Sequence, residues 1–215
     1  MVITRERFNQ GMTYDEYKAQ ITQNKEQFER NEQLELSEAD LAPFKNLAKP
    51  LNVAVVLEDW CADVVQNTPI LARIARDSGK LNLRFFPRDA NKDVMAEYMN
   101  GQYESIPVFA FYDDDWNELG VWIERPKSVS ETRAQKTREI HAQNPEFGPV
   151  GRPASELPED VRNRLQQAIR QMRADTASFY ARETVRELRE LVEDISKGNV
   201  EGRGRWRGNL AAAAA

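Results

Sequence analysis

The chain has 215 residues, 40% of them hydrophobic and 30% charged, with a formal net charge of -5. So polar a mixture predicts one ordinary domain with helical additions, and the acid surplus argues against nucleic acid as the main ligand, because binding a polyanion relies on surplus Lys and Arg. A single cysteine excludes an internal disulfide framework, and no stretch approaches the roughly 20 apolar residues that a membrane-spanning helix needs.

The start, Met1-Val2-Ile3-Thr4-Arg5-Glu6-Arg7, carries charge where a signal peptide has its apolar core, so cytoplasm is the expected location. Thr13 followed by Glu16 forms a capping-box pattern, and Tyr14, Tyr17, Ile21 and Phe28 fall near one face of a helix running to about Arg30. Ser37 with Asp40 opens a shorter helix that ends before Pro50. Residues 52–57 are an almost unbroken apolar run rich in β-branched side chains, the pattern of a strand buried on both faces. A helix is expected from about Ala62 to Asp77, with Ile70, Leu71, Ile74 and Ala75 inward and Gly79 as its stop.

A second strand follows over 82–87, then a short helix from Lys92 to Met99, then two strands over 107–112 and about 118–123. They are joined through Asp113-Asp114-Asp115-Trp116-Asn117, where the aspartates read as turn residues and Asn117 is the candidate for left-handed backbone. A βαβ unit followed by a helix and a hairpin predicts a mixed sheet covered by helices. Beyond Pro126 come a polar helix over about 130–143, a Pro- and Gly-containing linker, and one long amphipathic helix from about Glu159 to Lys197. Its apolar residues, from Val161 and Leu165 to Val192 and Ile195, recur at three- and four-residue steps. That stripe must be covered by the core domain or by a second subunit, which would make a homodimer through this helix. The Arg-Gly segment 202–208 and the five terminal alanines are given no structure.

Chemistry concentrates at Leu57-Glu58-Asp59-Trp60-Cys61-Ala62-Asp63-Val64, a strand-to-helix junction that holds the only cysteine. A cysteine at a helix N-terminus meets unpaired N–H groups and the positive end of the dipole, which favour thiolate. Glu58, Asp59 and Asp63 oppose this as neighbouring negative charges, read as a solvated acidic rim, and predict a thiol of modest acidity. His141, the sole histidine, reads as a solvated surface residue, and one Cys with one His builds no metal site.

With Trp60-Cys61-Ala62-Asp63-Val64 at that junction, Pro69 within the helix after it and Ser105-Ile106-Pro107-Val108 ahead of the third strand, residues 50–126 resemble the thioredoxin family. Trp60-Cys61-Ala62-Asp63-Val64 stands where that family has Trp-Cys-x-x-Cys, Pro69 matches a proline inside the following helix, and Ser105-Ile106-Pro107-Val108 matches the segment with a cis-proline facing the cysteine. Trp-Cys-x-Asp, Arg88-Asp89-Ala90-Asn91 and the ending through Arg125-Pro126 are similar to a bacterial branch of thioredoxin-like proteins. The resemblance implies an α/β thioredoxin-like fold over 50–126, to which the patterns outside it add helical extensions over 1–49 and 127–200 and a flexible tail over 201–215. It implies Cys61 as the reacting residue and a peptide groove of Trp60, Ala62, Asp63, Ile106 and Pro107. Val64 replaces the resolving cysteine and Val55 a buried aspartate, so a dithiol reductase is not expected. Two functions follow: monothiol exchange with protein or peptide thiols and disulfides, or a non-catalytic peptide-binding module. No cofactor is implied, and a small thiol such as glutathione would be the co-substrate.

Overall fold

Strands form where the apolar runs lie. A computed structural model of the chain describes residues 3–199 and 206–210. It has a sheet made of Leu51–Leu57 (β1), Leu81–Pro87 (β2), Val108–Tyr112 (β3), Glu118–Ile123 (β4) and Trp206–Gly208 (β5), in the order β2-β1-β3-β4-β5. The helices before the sheet are Arg5–Asn9 (α1), Tyr14–Gln20 (α2), Lys25–Asn31 (α3) and Glu38–Lys45 (α4). Ala62–Ser78 (α5) and Lys92–Glu97 (α6) lie between strands, and Lys127–Gln143 (α7), Glu159–Asp175 (α8) and Ala177–Ser196 (α9) follow β4.

The chain divides into two units, residues 1–126 with 184–215 and residues 127–183. In the first, β1 pairs with β2 in parallel through the crossover α5, and with β3 antiparallel, so the sheet is mixed as the element order predicts. β1 is central and buried at all but one position. Phe109 and Trp122, neighbours across β3 and β4, stack at 5.1 Å and are wholly buried. Gly79 ends α5 in the left-handed region, its N–H returning to the Ala75 carbonyl.

Four local expectations are corrected. The helix expected to reach Arg30 breaks at 21–24, because the Thr22 and Gln23 N–H groups donate to the Asp59 carboxylate at 2.8 and 3.0 Å and Asn24 is left-handed. The long C-terminal helix breaks at Thr176, whose hydroxyl donates to the Met172 carbonyl at 2.8 Å and competes with the helical ladder. In the hairpin Trp116 takes the left-handed backbone, held by ring contacts to Phe8 and Tyr112, while the Asp113 carboxylate accepts from the Asp115 and Asn117 N–H groups. Trp206–Gly208 is a strand, parallel to Val121–Ile123. The other tail residues, 200–205 and 211–215, lie outside the described residues.

α9 starts in the second unit and ends in the first, so the helical segment expected as one extension is shared between them. Within the first unit its buried Val185, Leu188, Leu191 and Val192 continue the apolar stripe, Glu187 accepts from the Trp122 indole N–H at 2.8 Å, and the Thr184 hydroxyl donates to Asn67 at 2.8 Å. The second unit gathers Phe147, Leu157 and Val161, with Ile140 and Leu165 beside them. There His141 is no free surface residue: its Nδ1 bonds the Gly148 carbonyl at 2.8 Å and its edge meets the Phe147 ring. Among the described residues no helix is long and apolar enough to cross a membrane.

Gly208 fixes β5. Its φ is +96°, and a Cβ there would stand 2.1 Å from the Ile123 carbonyl oxygen. Gly208→Ala is expected to detach the strand. Hydrogen exchange at Asn209, whose N–H donates to Ile123 at 3.1 Å, should accelerate about tenfold or more, whereas unchanged protection would mean that the edge is held by other contacts.

Candidate functional site

Cys61 is the N-cap of α5, with extended backbone at φ -83° and ψ 119°. The turn that brings β1 into this helix is closed by the Cys61 N–H donating to the Glu58 carbonyl at 3.2 Å, and the Cys61 carbonyl then accepts from Val65. The side chain is half-buried. Its sulfur lies 3.6 Å from the Ile106 carbonyl, to which the neutral thiol donates. The Ile106–Pro107 peptide bond is cis, and the Pro107 carbonyl accepts from the Glu124 N–H at 2.8 Å. The helix start and the loop before β3 thus meet at the sulfur.

Burial is the first cause that pushes the Cys61 thiol above its ordinary value. The N–H groups of Val64 and Asp63 favour the anion and pull it down, the Asp63 carboxylate pushes it up, and Arg125 pulls it down. The direction agrees with a thiol of modest acidity, but desolvation leads and the local acids contribute less. The expected solvated rim is only partial, since Glu58 and Asp59 are half-exposed and Asp63 is buried. The Glu58 carboxylate accepts from the Asp89 N–H at 2.8 Å, Asp59 caps the 22–24 break, and Asp63, only 7% exposed, takes the Arg125 guanidinium at 2.6 and 2.9 Å. These short bonds spend the acids on structure.

Of the sequence-derived groove residues, Cys61 and Ile106 are in contact, Ile106 and Pro107 are buried, and Ala62 is exposed. Trp60 is 45% exposed, with the Arg88 guanidinium 5.0 Å from its ring centre. Asp63 is turned inward onto Arg125. Two neighbours escaped the sequence reading as site residues. Arg125 belongs to the Asp63 pair, and Glu124, left-handed at φ 67°, ion-pairs with Arg125 and accepts from the Asn209 side chain at 2.8 Å. Their one signal in the sequence was the stretch ending at Arg125-Pro126. Asn67 is wholly buried and donates to the Glu124 carbonyl at 2.9 Å, which ties this corner to α5. Val64, at the position of a resolving thiol, is wholly buried. Among the described residues no group of three or more His, Cys, Asp or Glu side chains is placed to hold a metal ion.

A thiol raised by burial keeps its proton to higher pH in the folded chain. Alkylation of the native protein by iodoacetamide should still be climbing where free cysteine, of pKa about 8.5, has levelled off. By the same sign, folding stability contributed by this group is full below the free-thiol value and is lost as pH rises toward the folded one. An alkylation plateau below the free-cysteine value would contradict the geometry.

Residues 11–138 match the family described as thioredoxin. No curated protein matches the chain. Among solved structures it is similar to a protein of unknown function from Pseudomonas aeruginosa, at 18% identity and a TM-score of 0.56 over 80% of this chain and 96% of that one. It is also similar to an HIV epitope scaffold, at 21% identity and a TM-score of 0.53 over 59% of this chain and 79% of that one. At these identities the likeness is one of fold.

Proposed function

Because the chain belongs to the thioredoxin family, we propose that Cys61 carries out monothiol thiol–disulfide exchange on protein or peptide disulfides, with an external small thiol such as glutathione releasing the adduct. The observation that carries this reading is the half-buried Cys61 at the N-cap of α5, its sulfur served by the N–H groups of Asp63 and Val64 and set against the Ile106 carbonyl beside Pro107. Ionisation breaks the bond to the Ile106 carbonyl, since a thiolate has no proton to donate, and leaves the two N–H groups as its support.

The Cys61 thiolate attacks the glutathionyl sulfur of a mixed disulfide. A bond forms between the two sulfurs, the substrate thiolate leaves, and it takes up the proton that Cys61 released. A second glutathione, as thiolate, attacks the glutathionyl sulfur of the Cys61 adduct, which yields glutathione disulfide and restores the Cys61 thiolate. The sum is mixed disulfide plus glutathione giving free substrate thiol plus glutathione disulfide, so atoms and electrons balance. Val64 explains the need for the outside thiol, because the chain has no second cysteine to resolve the adduct. A reducing cytoplasm supplies that thiol. In this reading Trp60 and Ala62 form the exposed flank of the groove, and an extended substrate segment lies along the backbone at Ile106.

The assay is turnover of a glutathionylated peptide by the wild-type chain with glutathione as reductant. The proposal expects turnover there and negligible reduction of insulin; no turnover of the glutathionylated peptide at any pH up to 9 rejects it. The raised thiol favours a second reading, a peptide-binding module without catalysis. That module would bind extended peptides at Trp60 and Pro107 while turning over nothing.

A further inference from the structure

We propose that a cleft lying between residues 9–13, α2 and β2 binds a small zwitterion, an amino acid or a short peptide with free ends, through Arg84 and Glu16. The inference does not depend on the chemistry of Cys61. The cleft has a volume of about 510 Å³ and opens to solvent among Asn9, Gln10, Thr13, Glu16, Gln20 and Arg84, a size suited to small-molecule sites. Its wall is fixed before any ligand arrives. Met12 and Phe85 exchange backbone hydrogen bonds at 3.0 and 2.9 Å across the edge of β2. Gly11 has no room for a side chain, since a Cβ would stand 2.6 Å from the Phe86 ring and 2.9 Å from the Arg84 Cβ.

Arg84 is the group that asks for a partner. Its Nε is buried with no hydrogen-bond acceptor in reach, so the chain does not hold the side chain through that atom, and the other guanidinium N–H groups are the ones a ligand in the cleft would meet. No ion pair to its guanidinium is formed among the described residues, and its electrostatic neighbour is Glu16. Glu16 is committed elsewhere: its carboxylate accepts from the Thr13 N–H at 2.7 Å and the Thr13 hydroxyl at 2.9 Å, and these bonds hold it below the ordinary carboxylate range. It therefore stays negative without neutralising the guanidinium through contact.

One positive charge and one negative charge, the latter held by Thr13, share the cleft, and Asn9 lines it with Gln10 and Gln20, whose amides also meet Arg7 at 3.4 Å and the Met12 sulfur at 3.0 Å. A planar guanidinium fork suits a carboxylate bound through two N–H groups. A multiply charged phosphate would face the repulsion of Glu16, whereas a zwitterion satisfies both charges. That comparison selects amino-acid-like ligands over simple anions.

The test is titration of the full-length protein with triglycine, followed through the backbone amide signals of Gly11, Met12, Thr13 and Arg84. N-acetyl-triglycine amide, which lacks both charges, and inorganic phosphate serve as comparison probes. Saturable shifts with triglycine alone are expected, and Arg84→Gln should weaken them about tenfold or more. Arg84→Lys keeps the charge without the fork and should fall between the two. Absence of triglycine shifts in the wild-type chain overturns the proposal whatever the variants do. Equal shifts with the uncharged peptide, equal or stronger ones with phosphate, or unchanged binding by both variants also overturn it.

Discussion

Cys61→Ser should remove turnover of glutathionylated peptide entirely, a loss of about 10³-fold or more given what removal of an enzymic nucleophile does elsewhere. The chain has no other thiol to take over. The substitution is mild for the fold, because a serine hydroxyl at the N-cap can donate to the Ile106 carbonyl as the thiol does and serine is a favoured capping residue. Peptide binding along Trp60 and Pro107 should therefore persist while chemistry stops. Turnover by the serine variant within about twofold of wild type would assign the reaction to something other than Cys61.

The second large effect is expected behind the sulfur. Arg125→Met takes from Asp63, only 7% exposed, the guanidinium whose Nε and Nη2 both donate to its Oδ2, and leaves the Glu124 carboxylate nearby. Removing the guanidinium leaves the buried carboxylate less well compensated, so a loss of about 2–4 kcal/mol in urea unfolding is expected. The thiol should respond as well. Arg125 favours the thiolate and Asp63 opposes it, so Arg125→Met should slow alkylation of native Cys61 at fixed pH and Asp63→Asn should speed it. Asp63→Asn keeps Arg125 paired with Glu124 and should cost about 1–2 kcal/mol, less than the arginine change. Equal stability losses, or alkylation rates moving in the same direction, would contradict this arrangement.

The parts of the fold that could be read in advance were those whose signal is local. The β-branched run ahead of Cys61 marked the central strand, Thr13 with Glu16 and Ser37 with Asp40 form the capping boxes that their spacing predicts, and Gly79 stops α5. What stayed hidden depends on partners far along the chain. The helix break at 21–24 is made by Asp59, whose carboxylate lies 37 residues beyond Thr22. β5 reads as an unstructured Arg-Gly tail because three residues carry almost no pattern; its place comes from Gly208 fitting against Ile123 and from Asn209 reaching Glu124.

The site divides in the same way. The strand and helix cap marked the place of Cys61, whereas Ile106 and Pro107 were expected beside it only through the resemblance to the thioredoxin family. Among the acids around Cys61 it is Asp63 that misled, since it looks solvated beside Glu58 and Asp59 until its partner is known. Asp63 and Arg125 are 62 residues apart in sequence, and folding turns that apparent surface charge into an inward pair whose two opposed effects on the thiol come after burial and the helix N–H groups.

The most direct measurement is the intact mass of the native full-length chain after incubation with glutathione disulfide, followed by addition of reduced glutathione. Monothiol exchange predicts one glutathionyl group, mapped to Cys61, forming faster as pH rises and leaving as glutathione disulfide when the reduced thiol is added. A native chain that stays unmodified, while the same chain in denaturant takes up the group, would show Cys61 to be a packing residue and contradict the account.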